Sequence, residues 1–149
     1  MTDSVPVLNQ LNIVCKDFDA TLAFYRRLGL ALPDGVAHDG IRHAEVTLDC
    51  GLTLELDNQT LARTYNAAWR RAEGGSSTLI GFSLPSREAV DQLYSELTTA
   101  GYASRQPPYD AFWGARYAIV ADPNGNDVGL MSPIDQARRS WPPSPAPEL

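Results

Sequence analysis

Asp122-Pro123-Asn124-Gly125-Asn126 is the stretch that decides the fold. Proline presets one turn dihedral, Asp and Asn bond their own backbone, and Gly supplies a positive φ, so this run specifies a tight turn. Strand-like runs flank it: Ala115-Arg116-Tyr117-Ala118-Ile119-Val120 before, Asp127-Val128-Gly129-Leu130-Met131 after. Working backwards, the unit they close opens with the strand Leu79-Ile80-Gly81-Phe82-Ser83-Leu84. A helix follows, starting near Pro85-Ser86-Arg87-Glu88 and ending at Ala100-Gly101, with Val90, Leu93, Tyr94 and Leu97 as its buried stripe. Tyr102 to Arg105 is predicted as a short strand and Gln106-Pro107-Pro108-Tyr109-Asp110 as a loop.

The same order occurs earlier in the chain. Leu8 to Cys15 alternates as a half-buried strand, and a helix capped by Asp17 or Asp19 carries Leu22, Phe24-Tyr25 and Leu28 before Gly29 stops it. A turn region spans Pro33 to Gly40. Two strands then follow, His43–Leu48 and Leu52–Leu56, joined by Asp49-Cys50-Gly51. In the second of them Thr53 and Glu55 share the face opposite Leu52, Leu54 and Leu56. Residues 60–70 are helix-compatible, with Leu61, Tyr65 and Trp69 nearly in line. The expected organisation is α+β: two tandem βαβββ modules forming curled mixed sheets around a shared cavity. Residues 1–7 form an N-terminal tail, 8–73 the first module with its helical linker, and 74–133 the second module. Gly74-Gly75-Ser76-Ser77 is the joint, and 134–149 are a proline-rich, disordered tail.

Composition narrows the function classes. At 149 residues, 44% hydrophobic and 20% charged, the chain is an ordinary globular protein with no apolar run long enough to span a bilayer. Residues 1–6 lack a signal peptide's pattern, so a cytoplasmic location is expected. A net charge of −6 argues against nucleic acid and anionic membrane as partners. Cys15 and Cys50 both read as small core thiols rather than a disulfide.

Asp17 followed by Phe24-Tyr25 and Leu28-Gly29, then Asp122-Pro123-Asn124-Gly125-Asn126 before a last strand, resembles the vicinal oxygen chelate superfamily. This is the glyoxalase, bleomycin-resistance and extradiol-dioxygenase group, and the resemblance covers roughly residues 7–133. It implies that two half-barrel modules enclose a cavity. Metal-using members place four ligands on cavity-facing strands, commonly His or Gln, Glu, His and Glu. Those positions fall here on Gln10, Glu55, Leu79 and Gly129, and only the first two carry donor side chains. The expectation is therefore no metal and no cofactor. Of the two histidines, His38 reads as a surface residue and His43 as preceding a strand; a rebuilt site from Gln10, Glu55 and His43 stays as an alternative.

A metal-free cavity can still bind a small molecule. Alternation puts Leu79, Gly81 and Ser83 on its side of their strand. Gly81 and Gly129 either open room or relieve strain where the sheet curves. Glu55 is a candidate general base, a partner for a cationic ligand or for Arg116, or a solvent-facing carboxylate. Tyr109, Phe112, Trp113 and Arg116, with Gly114 as a hinge, offer an aromatic loop for planar or cationic ligands, or core packing. The expected function resembles the bleomycin-resistance branch: a homodimer that sequesters a cationic or aromatic, antibiotic-like small molecule. The alternatives are a lyase, isomerase or dioxygenase using Glu55 or a rebuilt metal site, and an interaction module marked by the proline-rich tail.

Overall fold

The computed structural model describes residues 5–74 and 77–149. Residues 1–4 of the expected N-terminal tail, and Gly75 and Ser76 of the expected joint, lie outside the described residues. The chain divides into two compact units between Arg71 and Ala72. In the first, β1 (Gln10–Cys15) leads to α1 (Phe18–Arg27), β2 (Val36–His38), β3 (Ile41–Thr47), β4 (Thr53–Asn58) and α2 (Gln59–Tyr65). In the second, β5 (Leu79–Ser83) leads to α3 (Arg87–Thr99), β6 (Ser104–Asp110), β7 (Arg116–Ala121) and β8 (Asp127–Met131), with a 3-10 turn at Gln136–Arg138. The sheets run β1-β4-β3-β2 and β5-β8-β7-β6. Each has one parallel pair, β1 with β4 and β5 with β8, and otherwise antiparallel neighbours. Both units are thus open βαβββ modules.

Local chemistry starts and stops the helices identically in both. Asp17 caps α1 by accepting from Ala20 N at 3.0 Å, and Ser86 caps α3 by accepting from Ala89 N at 3.1 Å. At the other ends Gly29 and Gly101 take φ of +90° and +100°. The following amides, Leu30 N and Tyr102 N, then reach back to Tyr25 O and Leu97 O. This is the left-handed closure that glycine supplies at least steric cost. The helices bury Leu22, Phe24, Tyr25, Val90 and Leu97 within their units. Facing them, alternation contributes Ile13, Ala44, Leu54 and Leu56 in one unit and Ala118, Val120, Val128 and Leu130 in the other. The turn at 122–126 closes as read: Asp122 Oδ1 accepts from Asn124 N and Asn126 N at 2.8 and 2.9 Å, and Gly125 sits at φ +85°.

Several local expectations need correction. The turn region before Gly40 contains the short strand β2, paired with β3. The Gln106–Asp110 loop is strand: Pro107 and Pro108 sit in edge strand β6, where two register shifts absorb residues unable to donate to a ladder. The helix of residues 60–70 ends at Tyr65, leaving Trp69 beyond it under the Arg63 guanidinium. Cys15 is buried, but Cys50 lies exposed in the β3–β4 turn. The C-terminal segment also packs. Ser140 N donates to Phe112 O at 2.9 Å, and Asp135 N to Gly114 O at 3.0 Å.

Candidate functional site

The sheet of the first unit keeps one face for α1 and turns the other outward. Register places Gln10 and Asn12 of β1, His43, Glu45 and Thr47 of β3, and Thr53, Glu55 and Asp57 of β4 on that outward face. Helix α2 folds back beside it and adds Leu61 and Tyr65. Together they line an open cavity of about 450 Å³, its walls formed by Gln10, Asn12, His43, Glu55, Asp57, Leu61 and Tyr65.

At its base is Asp57, 1% exposed. Its carboxylate accepts from His43 Nδ1 at 2.7 Å, Asn12 Nδ2 at 2.9 Å and the Tyr65 hydroxyl at 2.8 Å. Three donors satisfy a charge that burial would otherwise penalise by several kcal/mol, roughly. Asn12 links this group to Glu55, donating to Glu55 Oε2 at 2.6 Å while Gln10 Nε2 donates to Asn12 Oδ1 at 2.9 Å. A carboxylate cannot donate, so His43 Nδ1 carries the proton and Nε2 is left towards Glu45, whose Oε2 is 3.6 Å away.

The titrating groups respond to this acidic setting. Burial on its own lowers the His43 pKa, but the hydrogen bond to Asp57 and the charges of Asp57, Glu55 and Glu45 outweigh it and hold the imidazole above its ordinary value. Burial, with the hydrogen bond to Asp57 and its charge, pushes the Tyr65 phenol up to about 12.

Gln10 and Glu55 are therefore brought together, through Asn12, in one cavity. Leu79, Gly81 and Gly129 share a face in the second sheet, where Gly81 pairs with Gly129. A side chain at Gly81 would meet only Leu79, at 4.0 Å, so that glycine leaves open space. One at Gly129 would lie 2.6 Å from the Tyr117 hydroxyl, so that glycine admits Tyr117. Tyr109, Phe112 and Trp113 form an aromatic run with Tyr117. Trp113 stands edge-on to Tyr117 at 5.1 Å and to Phe112 at 5.2 Å, and Tyr109 edge-on to Tyr117 at 6.4 Å. Burial raises the Tyr109 and Tyr117 pKa values. Arg116 pairs with Asp91 at 2.8 Å and with Asp110 at 3.3 Å. Gly114 is no free hinge: a side chain there would run into Asp135 O, so its bareness admits the C-terminal segment.

His43 stands beside Gln10 and Glu55, the three residues of the alternative rebuilt site, while Asn12, Glu45, Asp57 and Tyr65 join without having been picked out for it from sequence. Alternation carried the signal for three, since Asn12 and Asp57 lie two residues beyond Gln10 and Glu55, and Glu45 two beyond His43. His43 lies within β3, in keeping with the strand read from His43 to Leu48 rather than with a place before it. The four positions at which the resemblance places metal ligands do not fit such a centre here: Leu79 offers only carbon, and Gly129 lies beneath Tyr117.

A model of the glyoxalase/bleomycin resistance protein/dioxygenase superfamily matches residues 7–130. No curated protein matches the chain significantly. Among solved structures, a glyoxalase/bleomycin resistance protein/dioxygenase from Nocardioides is 26% identical, with a TM-score of 0.68 over 90% of this chain and 87% of that one. A family enzyme from Burkholderia phytofirmans PsJN is 21% identical, with a TM-score of 0.70 over 84% and 97%. A glyoxalase-related enzyme from Fulvimarina pelagi is 18% identical, with a TM-score of 0.70 over 96% and 100%; these last two bear on the fold alone. Among the described residues no helix is long and apolar enough to cross a membrane.

Proposed function

Since the chain belongs to the glyoxalase/bleomycin resistance protein/dioxygenase superfamily, we propose that it is a small-molecule-binding protein that sequesters a ligand with a positively charged group in the first unit's cavity. The observation that carries this reading is the Glu55 carboxylate, fixed by Asn12 at 2.6 Å on the wall of a cavity of about 450 Å³. Asp57 is buried and already accepts from three neighbours, whereas Glu55 has an oxygen left to accept from a ligand. Leu61 and Tyr65 supply apolar and aromatic surface for the ligand's body. Sequestration makes and breaks no covalent bond: a cation exchanges water for a charge-assisted hydrogen bond. An antibiotic-like ligand, a homodimeric assembly and a cytoplasmic setting belong to the same proposal, and rest on the resemblance and the composition.

Titration of the purified protein in chelator with thioflavin T, a planar aromatic cation, against the anionic dye 8-anilinonaphthalene-1-sulfonate tests the charge preference. Saturable binding of the cation, weakened about tenfold or more in Glu55→Gln, is the expected result; that factor corresponds to about 1.4 kcal/mol. Tighter binding of the anion, or no effect of Glu55→Gln, overturns the reading.

One observation favours a second reading, a proton-transfer enzyme. His43 Nδ1 is anchored on buried Asp57, an arrangement that orients an imidazole and stabilises its protonated form. In that reading His43 Nε2, or Glu55, takes the proton of a bound substrate. Turnover of a thiol adduct of a 2-oxoaldehyde that is lost in His43→Ala would support it.

A further inference from the structure

The first unit holds a grouping that shares only Glu55 with the four ligand positions of the resemblance. We propose that His43 Nε2 and one carboxylate oxygen each from Glu45 and Glu55 form a three-donor site for a divalent first-row transition-metal ion, built wholly within the first unit. One donor atom from each residue lies within 4.8 Å of the other two. Donors around an ion at about 2.0–2.2 Å stand about 3–3.5 Å apart, so the two glutamates need only rotamer adjustment to close on it.

Three features distinguish this from a chance meeting of acidic side chains. First, Glu45 and Glu55 are directly opposed across β3 and β4. Like charges so placed repel, and a cation between them turns that repulsion into binding. Second, the imidazole is oriented. Asp57, 1% exposed, accepts a hydrogen bond from Nδ1 at 2.7 Å and so directs the Nε2 lone pair at the carboxylates. Metal-ligating histidines are held by the same outer carboxylate, which fixes the tautomer and raises basicity. Third, Asn12 grips one oxygen of Glu55, leaving the other as donor. One imidazole and two carboxylates suit zinc, iron, nickel or manganese better than calcium or magnesium. Three protein donors also leave coordination positions open to the cavity.

The site does not depend on the small-molecule reading, because it is tested with metal alone. Protein stripped with chelator and desalted is titrated with zinc chloride, and separately manganese chloride, by calorimetry; bound metal after desalting is counted by elemental mass spectrometry. About one equivalent per chain is expected, with Glu45→Gln and His43→Ala each weakening binding at least about 100-fold and Asp57→Asn about 10–100-fold. If His43→Ala fails to fold, Glu45→Gln decides, since Glu45 is exposed and its loss leaves the Asp57 network whole. No binding to the folded protein, or binding that survives Glu45→Gln, overturns the proposal while leaving the dye titration in chelator to judge the sequestration reading. Because both occupants use Glu55, bound zinc should also raise the dissociation constant for thioflavin T.

Discussion

In the first sheet Asn12, Glu55 and Glu45 lie side by side across β1, β4 and β3; in the second, the same three places hold Gly81, Gly129 and Ile119. One step along, Asp57 and His43 correspond to Met131 and Tyr117. Two copies of one architecture have thus taken opposite solutions on equivalent faces. The polar face satisfies its charges internally, through Asp57 and its three donors. The apolar face removes side chains from two strands, and Tyr117, packed against Trp113, covers one of the bare positions. The first face keeps Glu55 and Glu45 for a charged ligand, whereas Asp127 on the second is paired with Arg105 at 3.3 Å. Duplication therefore fixes the scaffold while the outward residues of three strands decide the chemistry.

The sharpest way to break the comparison is at Asp57 and Met131. Asp57→Ala leaves His43 Nδ1 and the Tyr65 hydroxyl without their acceptor and takes from Asn12 one of its two, and breaking such a buried group is expected to destabilise the first unit by about 3–5 kcal/mol. Met131→Ala removes only a half-buried side chain and should fall below the roughly 2–5 kcal/mol of a fully buried methionine. Urea unfolding of both variants checks this; equal losses would mean the network is no more structural than its apolar counterpart.

A smaller effect is expected at the glycines. Gly129→Ala pushes a methyl against the Tyr117 hydroxyl and Leu79, for a loss of about 1–3 kcal/mol. Gly81→Ala meets open space and should stay within about 0.5 kcal/mol. Tyr117→Phe in the Gly129→Ala background should recover part of the loss, and a double-mutant cycle with no coupling would show that Tyr117 does not depend on the missing side chain.

The tyrosines separate the faces by pH. Tyr65 ionises near 12, held there by burial and then by Asp57, whereas Tyr109 is raised by burial alone and Tyr117 chiefly so. Folded-state values above the ordinary 10 mean the folded protein keeps these protons longer than the unfolded chain. Their contribution to stability is intact below pH 10 and is lost as pH rises through each folded-state value, about 12 for Tyr65. Ultraviolet titration in Asp57→Asn should move the Tyr65 transition down and leave Tyr109 and Tyr117 in place. A downward shift of all three would mean the substitution loosened the whole protein.

How much of this the sequence revealed follows from the range of the interactions. The caps at Asp17 and Ser86, the stops at Gly29 and Gly101, and the Asp122–Asn126 turn are written within a few residues, and they delivered both modules. Strand β6 escaped because two prolines argue against a strand unless it is known to be an edge. The Asp57 network escaped for a different reason: residues 12, 43, 57 and 65 meet only once β1, β3 and β4 are in register and α2 has folded back. Alternation marked the face, but not which partners lie across it. Gly114 shows the same limit, since its need for bareness comes from Asp135, far along the chain.

The smallest effect is expected at Glu45, and it discriminates most finely between the two faces. In chelator, Glu45→Gln loses an attraction to His43 at 3.6 Å and also a repulsion from Glu55 directly across the strands. Both partners are partly solvated, so each interaction is worth only a few tenths of a kcal/mol, about 0.2–1 at most, and the signs oppose. Stability should therefore change by less than about 0.5 kcal/mol, as it would for a conservative change at Ile119, its uncharged counterpart in the second sheet. With zinc at about 100 times its dissociation constant, binding adds about 2.7 kcal/mol to the wild type that Glu45→Gln lacks. A gap between the two proteins that opens only when metal is added separates a ligand-binding carboxylate from a merely solvated one. A gap already present in chelator would mean that Glu45 supports the fold through His43, and the acidic face would then be structural throughout.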